Sequence, residues 1–459
     1  MANDYDSIVI GTGQAGPALA ERLGQAGKKV AVIERHLFGD TCVNTGCIPT
    51  KTLVAIAKVA NMVSRAKEYG VEIKGDVTID MKKVEARKDE VFGASNKRVE
   101  GWLKNMKNVD VYEGHGRFVS NNSVEVNGEI LKADNIFINV GGRAFTPPIE
   151  GLDEVSFLTN SSIMEVDFVP EHLIVIGGSY IGLEFAQMYR RFGSEITVVE
   201  MSDRLISRED EEVCENIKEI MEEEGINVRL SAECITVGKD DKKILAGVDC
   251  DNEDKEISGS HLLLATGRVP NTHDLGLENT DIKTNTRGYI EVDDRLQTNV
   301  PGVWAIGDCN GRGAFTHNSY NDFEIVASNI LDNDPRKVTD RILCYGLFID
   351  PPLGRVAMTE IEAKDSGRKL LVGKRKMTRV GRAREKRETH GFMKVMVDTD
   401  TKEILGASIL GVEGDEAIHC ILDVMYAKAP YTTIQRAAHI HPTVAELIPT
   451  VPGILEPIN

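Results

Sequence analysis

One unit occurs twice in this chain and constrains its fold more than any other feature. It is a strand ending in glycine, a glycine-rich turn, a helix, and a strand ending in an acid. Residues 5–11 (YDSIVIG) read as an apolar strand. Gly11-Thr12-Gly13-Gln14-Ala15-Gly16 follows, with a helical pattern over 13–27 and a strand over 28–34 (KKVAVIE) that ends at Glu34. Gly11 permits the tight turn, Gly13 lets a pyrophosphate approach the backbone, and Gly16 allows close helix–strand packing. Glu34 falls where a carboxylate accepts hydrogen bonds from a ribose. The unit recurs at 172–178 (HLIVIGG), 180–193 and 194–200 (SEITVVE), with Gly177-Gly178-Ser179-Tyr180-Ile181-Gly182 as its turn and Glu200 as its acid. Two α/β mononucleotide-binding units are expected, each on a doubly wound parallel sheet.

The second unit differs in chemistry from the first. Ser179 replaces the middle glycine, which leaves phosphate approach possible but less free. Glu200 would accept from a free 2′-hydroxyl and repel a 2′-phosphate, which favours NADH over NADPH. Arg204 could oppose this by pairing with a phosphate.

The 459 residues suffice for two or three domains. Pro147, Pro148 and Gly151 mark a crossover between the units, and from about residue 345 the pattern changes to alternating strands (GFMKVMVD, EILGASILG) followed by a helix at 415–428. A third domain is expected there. The formal charge of −18 argues against nucleic-acid and anionic-membrane partners. No apolar run reaches the roughly 18 residues of a membrane helix. The N-terminus has no basic n-region and runs straight into a strand-like segment, so a cytoplasmic location is expected. One segment stands out against the acidic background, 374–387 (KRKMTRVGRAREKR). It reads as a charged, protected strand edge, with a docking site for an acidic partner as the alternative.

Of eight cysteines (Cys42, Cys47, Cys214, Cys234, Cys250, Cys309, Cys344 and Cys420), only Cys42 and Cys47 form a close pair. The scattered ones read as small buried apolar residues. Cys42-Val43-Asn44-Thr45-Gly46-Cys47-Ile48-Pro49-Thr50-Lys51 places two thiols at a helix start, where the dipole favours a thiolate and the pair can form a reducible disulfide. Zinc would need two further ligands at similar spacing, and no second such pair exists, so no metal site is assigned.

The string DTCVNTGCIPTK closely resembles the active-site segment of class I pyridine nucleotide-disulfide oxidoreductases, including dihydrolipoamide dehydrogenase, glutathione reductase and mercuric reductase. The fingerprints and the cysteine pair occur in that family's order, along essentially the whole chain. The resemblance implies two Rossmann-like domains, for FAD (1–149 and 277–343) and NAD(P) (150–276), and a C-terminal α+β dimerisation domain (344–459).

It also implies roles. Cys47 would be the thiol nearest the flavin and Cys42 the interchange thiol. Lys51 would lie beside the flavin and pair with Glu184, and Tyr180 would cover the nicotinamide pocket. The cofactor residues would include Thr41, Gly116 in the turn Gly114-His115-Gly116, and Asp308, which ends the run 298–308 (TNVPGVWAIGD). Thr316 and His317 would lie by the flavin pyrimidine, with ordinary packing the other reading of His317. Gly267 and Arg268 would close the nicotinamide-nucleotide domain. His441, in His441-Pro442-Thr443-Val444-Ala445-Glu446, would move protons for the thiols, with Glu446 fixing its tautomer. It would act in the partner subunit of a homodimer.

Electrons would run from NAD(P)H through FAD and the disulfide to a disulfide, metal ion or other small acceptor, as in mercuric reductase. The alternatives are dihydrolipoamide dehydrogenase and a flavoprotein that mainly binds or senses. The tail LIPTVPGILEPIN lacks the adjacent cysteines usual in mercuric reductases.

Overall fold

The computed structural model describes residues 3–241, 243–249 and 255–457. Cys250 lies outside the described residues.

The first unit forms where the sequence places it. The strand Asn3–Ile10, the helix Gly16–Gln25 and the strand Val30–Glu34 are its βαβ core. Every residue of Val30–Glu34 is buried, as a central parallel strand covered on both faces requires. Asn3–Ile10 pairs in parallel with Val30–Glu34 on one side and Glu129–Ile138 on the other, and Val30–Glu34 with Val109–Glu113. Val303–Ala305 adds to Glu129–Ile138 in parallel, so the chain returns to this sheet after the second unit.

The second unit has the parallel order Asn227–Arg229, Glu195–Val199, His172–Ile176, His261–Leu264, with the helix Tyr180–Phe192 between its first two strands in sequence. Glu200 falls one residue beyond its strand. Both sheets depart from a purely doubly wound form. Antiparallel strands Arg117–Ser120 and Ser123–Val126 extend the first sheet, and a three-stranded antiparallel meander, Glu233–Asp240, Lys243–Asp249 and Glu256–Gly259, stands where a crossover helix would run. These strands alternate apolar and polar residues, a period of two that does not suit a helix.

The third domain is a six-stranded antiparallel sheet. Its central strands, Phe392–Asp398 and Ile404–Leu410, are buried along their whole length. The helix expected at 415–428 divides into Gly414–Ala417 and His419–Tyr426. Leu347, Leu353, Phe392 and Leu410 of this domain share one apolar core with Leu183, Phe185 and Val213 of the second unit. Each such side chain contributes about 1.5–3 kcal/mol on burial, so the two domains are held as neighbours. Cys214 and Cys309 are buried and Cys344 and Cys420 half-buried. No helix among the described residues is long and apolar enough to cross a membrane.

Candidate active site

Cys42 lies in the short helix Asp40–Asn44, and Cys47 opens the 18-residue helix Cys47–Ser64. A Cβ at Gly46 would stand 2.8 Å from the Thr41 carbonyl, so only glycine lets the intervening turn fold back. The two sulfurs come within hydrogen-bonding distance as free thiols. The bond from Cys42 lowers the Cys47 thiol to about 6, helped by Thr316 and the Lys51 charge and opposed by burial. Cys42 is pushed up, by its bond to Cys47 and then by burial. The pair thus divides into a thiolate at Cys47 and a thiol at Cys42. Thr316, first residue of the helix Thr316–Leu331, sets its Oγ1 2.9 Å from Cys47 Sγ.

One turn along the Cys47 helix, Lys51 Nζ meets Glu184 Oε2 at 2.5 Å and lies 4.3 Å from the centre of the Phe348 ring. The other oxygen of Glu184 accepts from the Phe348 backbone N–H at 3.0 Å. This nearly buried carboxylate therefore ties together all three domains. Beside it, Tyr180 packs edge-on against Phe315 and Tyr345, and Phe315 stacks on His317. Burial, then the Glu209 charge, raises the Tyr180 phenol to about 12. The His317 ring donates from Nε2 to the Cys344 carbonyl at 2.8 Å, and burial lowers its basicity.

Behind the aromatic cluster is a charged network that sequence reasoning missed. Tyr345 donates to Glu209 at 2.6 Å. Arg355, fully buried, pairs with Glu209 at 2.6 Å and Asp210 at 3.0 Å, and Lys394 with Asp210 at 3.1 Å and Glu360 at 2.5 Å. Burial would lower Arg355, but the two carboxylates outweigh it and hold it charged. The links from Glu209 and Asp210 to Tyr345, Arg355 and Lys394 span 136 to 184 positions of sequence, so no local pattern could have announced it.

His441 Nδ1 lies 2.6 Å from Glu446 Oε2. The imidazole is 79% exposed on this chain. No hydrogen bond or ion pair joins it to Cys42 or Cys47 among the described residues. The loop is braced by Arg382, which donates to the Pro442 carbonyl at 2.7 Å, and by His439, which bonds the Ala445 carbonyl at 2.8 Å. Several cations of the basic segment are paired within the chain: Lys374 with Glu212, Lys386 with Glu413, and Arg387 with Glu68.

The first glycine turn is built as a cradle. A Cβ at Gly11 would stand 2.3 Å from the Asn139 carbonyl, and one at Gly16 2.4 Å from the Gly11 carbonyl. Asn139 accepts from the Gly16 N–H at 2.9 Å and donates to the Ile306 carbonyl at 3.0 Å. It locks the helix start to the strand Val303–Ala305 and was not anticipated. Glu34 accepts from Thr12 N–H, Thr12 Oγ1 and His36 N–H. A cleft runs from this turn past Glu34, His115 and Gly116. Asp308 lies 3.8 Å from Arg268, and burial raises its carboxyl against that charge. Arg268 belongs to a strand paired with Gly142–Ala144, which places it against the first unit.

In the second turn, Glu200 accepts from the Gly178 N–H at 2.6 Å and the Ser202 N–H at 2.8 Å. A Cβ at Gly182 would stand 2.0 Å from the Gly177 carbonyl. Ser179 caps the helix in extended backbone, its side chain making no cap hydrogen bond. Gly267 stands at a φ of +114°. Arg204 pairs with its neighbour Asp203, not with the glycine turn.

Residues 5–322 match the pyridine nucleotide-disulphide oxidoreductase family and residues 344–452 that family's dimerisation domain. The chain belongs to this family. It is an FAD-dependent oxidoreductase that uses pyridine nucleotides, and its third domain supports a homodimer.

This family member is 35% identical to the probable pyridine nucleotide-disulfide oxidoreductase RclA of Escherichia coli, over 97% of this chain and 98% of RclA. It is 31% identical to dihydrolipoyl dehydrogenase of Bacillus subtilis (98% and 97% covered) and 30% identical to mercuric reductase of Staphylococcus aureus (94% and 80%). Among solved structures, the Cu(II) complex of the HOCl-induced flavoprotein disulfide reductase RclA from E. coli superposes with a TM-score of 0.89 at 34% identity, over 98% of this chain and 99% of that one.

The residues fit FAD. The cradle at Gly11, Gly13 and Gly16 is closed to any Cβ-bearing residue by backbone at two of its positions, and it opens onto a cleft lined by Glu34, Asp40, His115 and Gly116.

Proposed function

We propose that this protein is an NADH-dependent flavoprotein disulfide reductase that delivers electrons to a soft metal ion. The observation that carries this reading is the division of the cysteine pair into a thiolate at Cys47 and a thiol at Cys42, beside the Lys51–Glu184 ion pair. Its likeness to RclA, which was solved as a Cu(II) complex, supports the acceptor class.

Bound FAD supplies the two-electron relay between nicotinamide and disulfide. The chain's own residues do the rest. Tyr180 covers the nicotinamide pocket, and Glu200 receives the adenosine ribose. Arg204 pairs with Asp203 and not with the glycine turn, which supports NADH. Lys51 holds positive charge against the flavin site. Cys47 stays as thiolate on the flavin side, and Cys42 faces the acceptor. Oxidation of the Cys42 thiol and the Cys47 thiolate to the disulfide passes two electrons to two Cu(II), giving two Cu(I), and releases the Cys42 proton. His441, oriented by Glu446, takes the proton from Cys42 in the partner subunit of the homodimer. Thiolates favour soft ions, and the chain has no later cysteine pair to receive mercury. A cytoplasmic site belongs to this reading, since NADH is its electron source.

The test is anaerobic. The enzyme is reduced with NADH, then mixed with Cu(II) or with oxidised lipoamide while flavin absorbance is followed. Reoxidation by Cu(II) with two Cu(I) formed per chain supports the reading. Rapid reoxidation by lipoamide alone assigns dihydrolipoyl dehydrogenase activity instead.

A further inference from the structure

Asp40 stands immediately before the redox segment, at a φ of +46° that aspartate tolerates better than most residues. Its side chain turns into the first nucleotide cradle and lines the same cleft as Gly11, Glu34 and Asn139. Its Oδ2 lies 3.4 Å from where a Cβ of Gly13 would stand and 2.8 Å from that of Gly141. Gly13 belongs to the turn that opens the helix Gly16–Gln25, where backbone N–H groups and the helix dipole receive the flavin diphosphate. A carboxylate and a diphosphate therefore compete for one cradle.

We propose that Asp40 makes flavin binding proton-linked, the carboxyl being neutral when the diphosphate occupies the cradle and charged when it leaves. The surroundings agree. Glu34 at the end of its strand and Asp308 at its turn both face Asp40 with negative charge, and Arg268 and the Thr41 N–H oppose them. Burial and then Glu34 raise the carboxyl to about 6 before any phosphate is present. The diphosphate charges raise it further. Between those two values one proton is taken up per flavin bound, so affinity falls by up to about tenfold for each pH unit above about 6.

The experiment is dilution of the purified holoenzyme into buffers from pH 5.5 to 8.5, with the fluorescence of released FAD read at equilibrium. For the native protein the FAD dissociation constant should rise at least about tenfold between pH 6 and pH 8. Asp40→Asn keeps the volume and removes the charge, and Asp40→Gly also relieves the backbone. Both should hold FAD at pH 8 about tenfold tighter or better than the native chain, with a nearly flat profile. A flat native profile overturns the proposal, as do variant profiles that run parallel to it. A variant that fails to fold leaves the other variant and the native profile to decide.

Discussion

Tyr345 of the third domain and Glu209 of the second nucleotide unit are joined by a 2.6 Å hydrogen bond, directly behind the edge-on contact of Tyr345 with Tyr180. Glu209 is in turn fixed by the fully buried Arg355. The aromatic cluster of Tyr180, Phe315 and Tyr345 is thus braced from another domain. Tyr345→Phe removes one hydrogen bond worth about 0.5–1.5 kcal/mol. It should raise KM for NADH by about twofold to tenfold and leave acceptor turnover at saturating NADH within about twofold. Steady-state kinetics with each substrate varied checks this.

Arg355 balances two buried carboxylates. Removing one partner of such a cluster leaves charge buried without compensation and costs about 3–5 kcal/mol. Arg355→Met should therefore lower the thermal midpoint sharply. Adding Glu209→Gln to it should recover part of the loss. Calorimetry on the two variants tests the sign of that recovery.

The Cys47 thiol is lowered, so its thiolate is present above about pH 6 and is lost as pH falls through that value. The thiolate-to-flavin absorbance of the two-electron-reduced enzyme should fade over the same range and vanish in Cys47→Ser. Thr316→Val removes a hydrogen bond that favours the thiolate. Its midpoint should move to higher pH.

Glu446 holds His441 by a 2.6 Å bond. Glu446→Gln keeps the shape and removes the carboxylate that orients the imidazole. The thiol-to-acceptor step should slow about tenfold, and His441→Ala should slow it about 10²-fold or more. Flavin reduction by NADH should be unchanged in both. Stopped-flow measurement of the two half-reactions separates them.

The local features were legible in the sequence because each is written in a few adjacent residues. Gly11, Gly16, Gly177 and Gly182 stand where the backbone leaves no room for a Cβ. Cys42 and Cys47 are brought together by a turn contained in their own segment. The Lys51–Glu184 contact spans 133 positions and came from the family resemblance, not from any local pattern. What could not be read is what tertiary packing alone creates. Asn139 matters because it reaches two segments at once. The Glu209–Arg355–Asp210–Lys394 network joins residues that look like ordinary surface charges until the sheet buries them. The meander of Glu233–Asp240, Lys243–Asp249 and Glu256–Gly259 was not read from the sequence, although its last two strands alternate buried and more exposed residues.

The central claim is that electrons pass through the Cys42–Cys47 pair. Thiol counting under anaerobic conditions tests it most directly. The oxidised enzyme, denatured with and without prior addition of one equivalent of NADH, is reacted with a chromogenic disulfide. The account predicts two additional thiols per chain after NADH, and none in Cys42→Ser. Reduction of the flavin with no gain in thiols would contradict it.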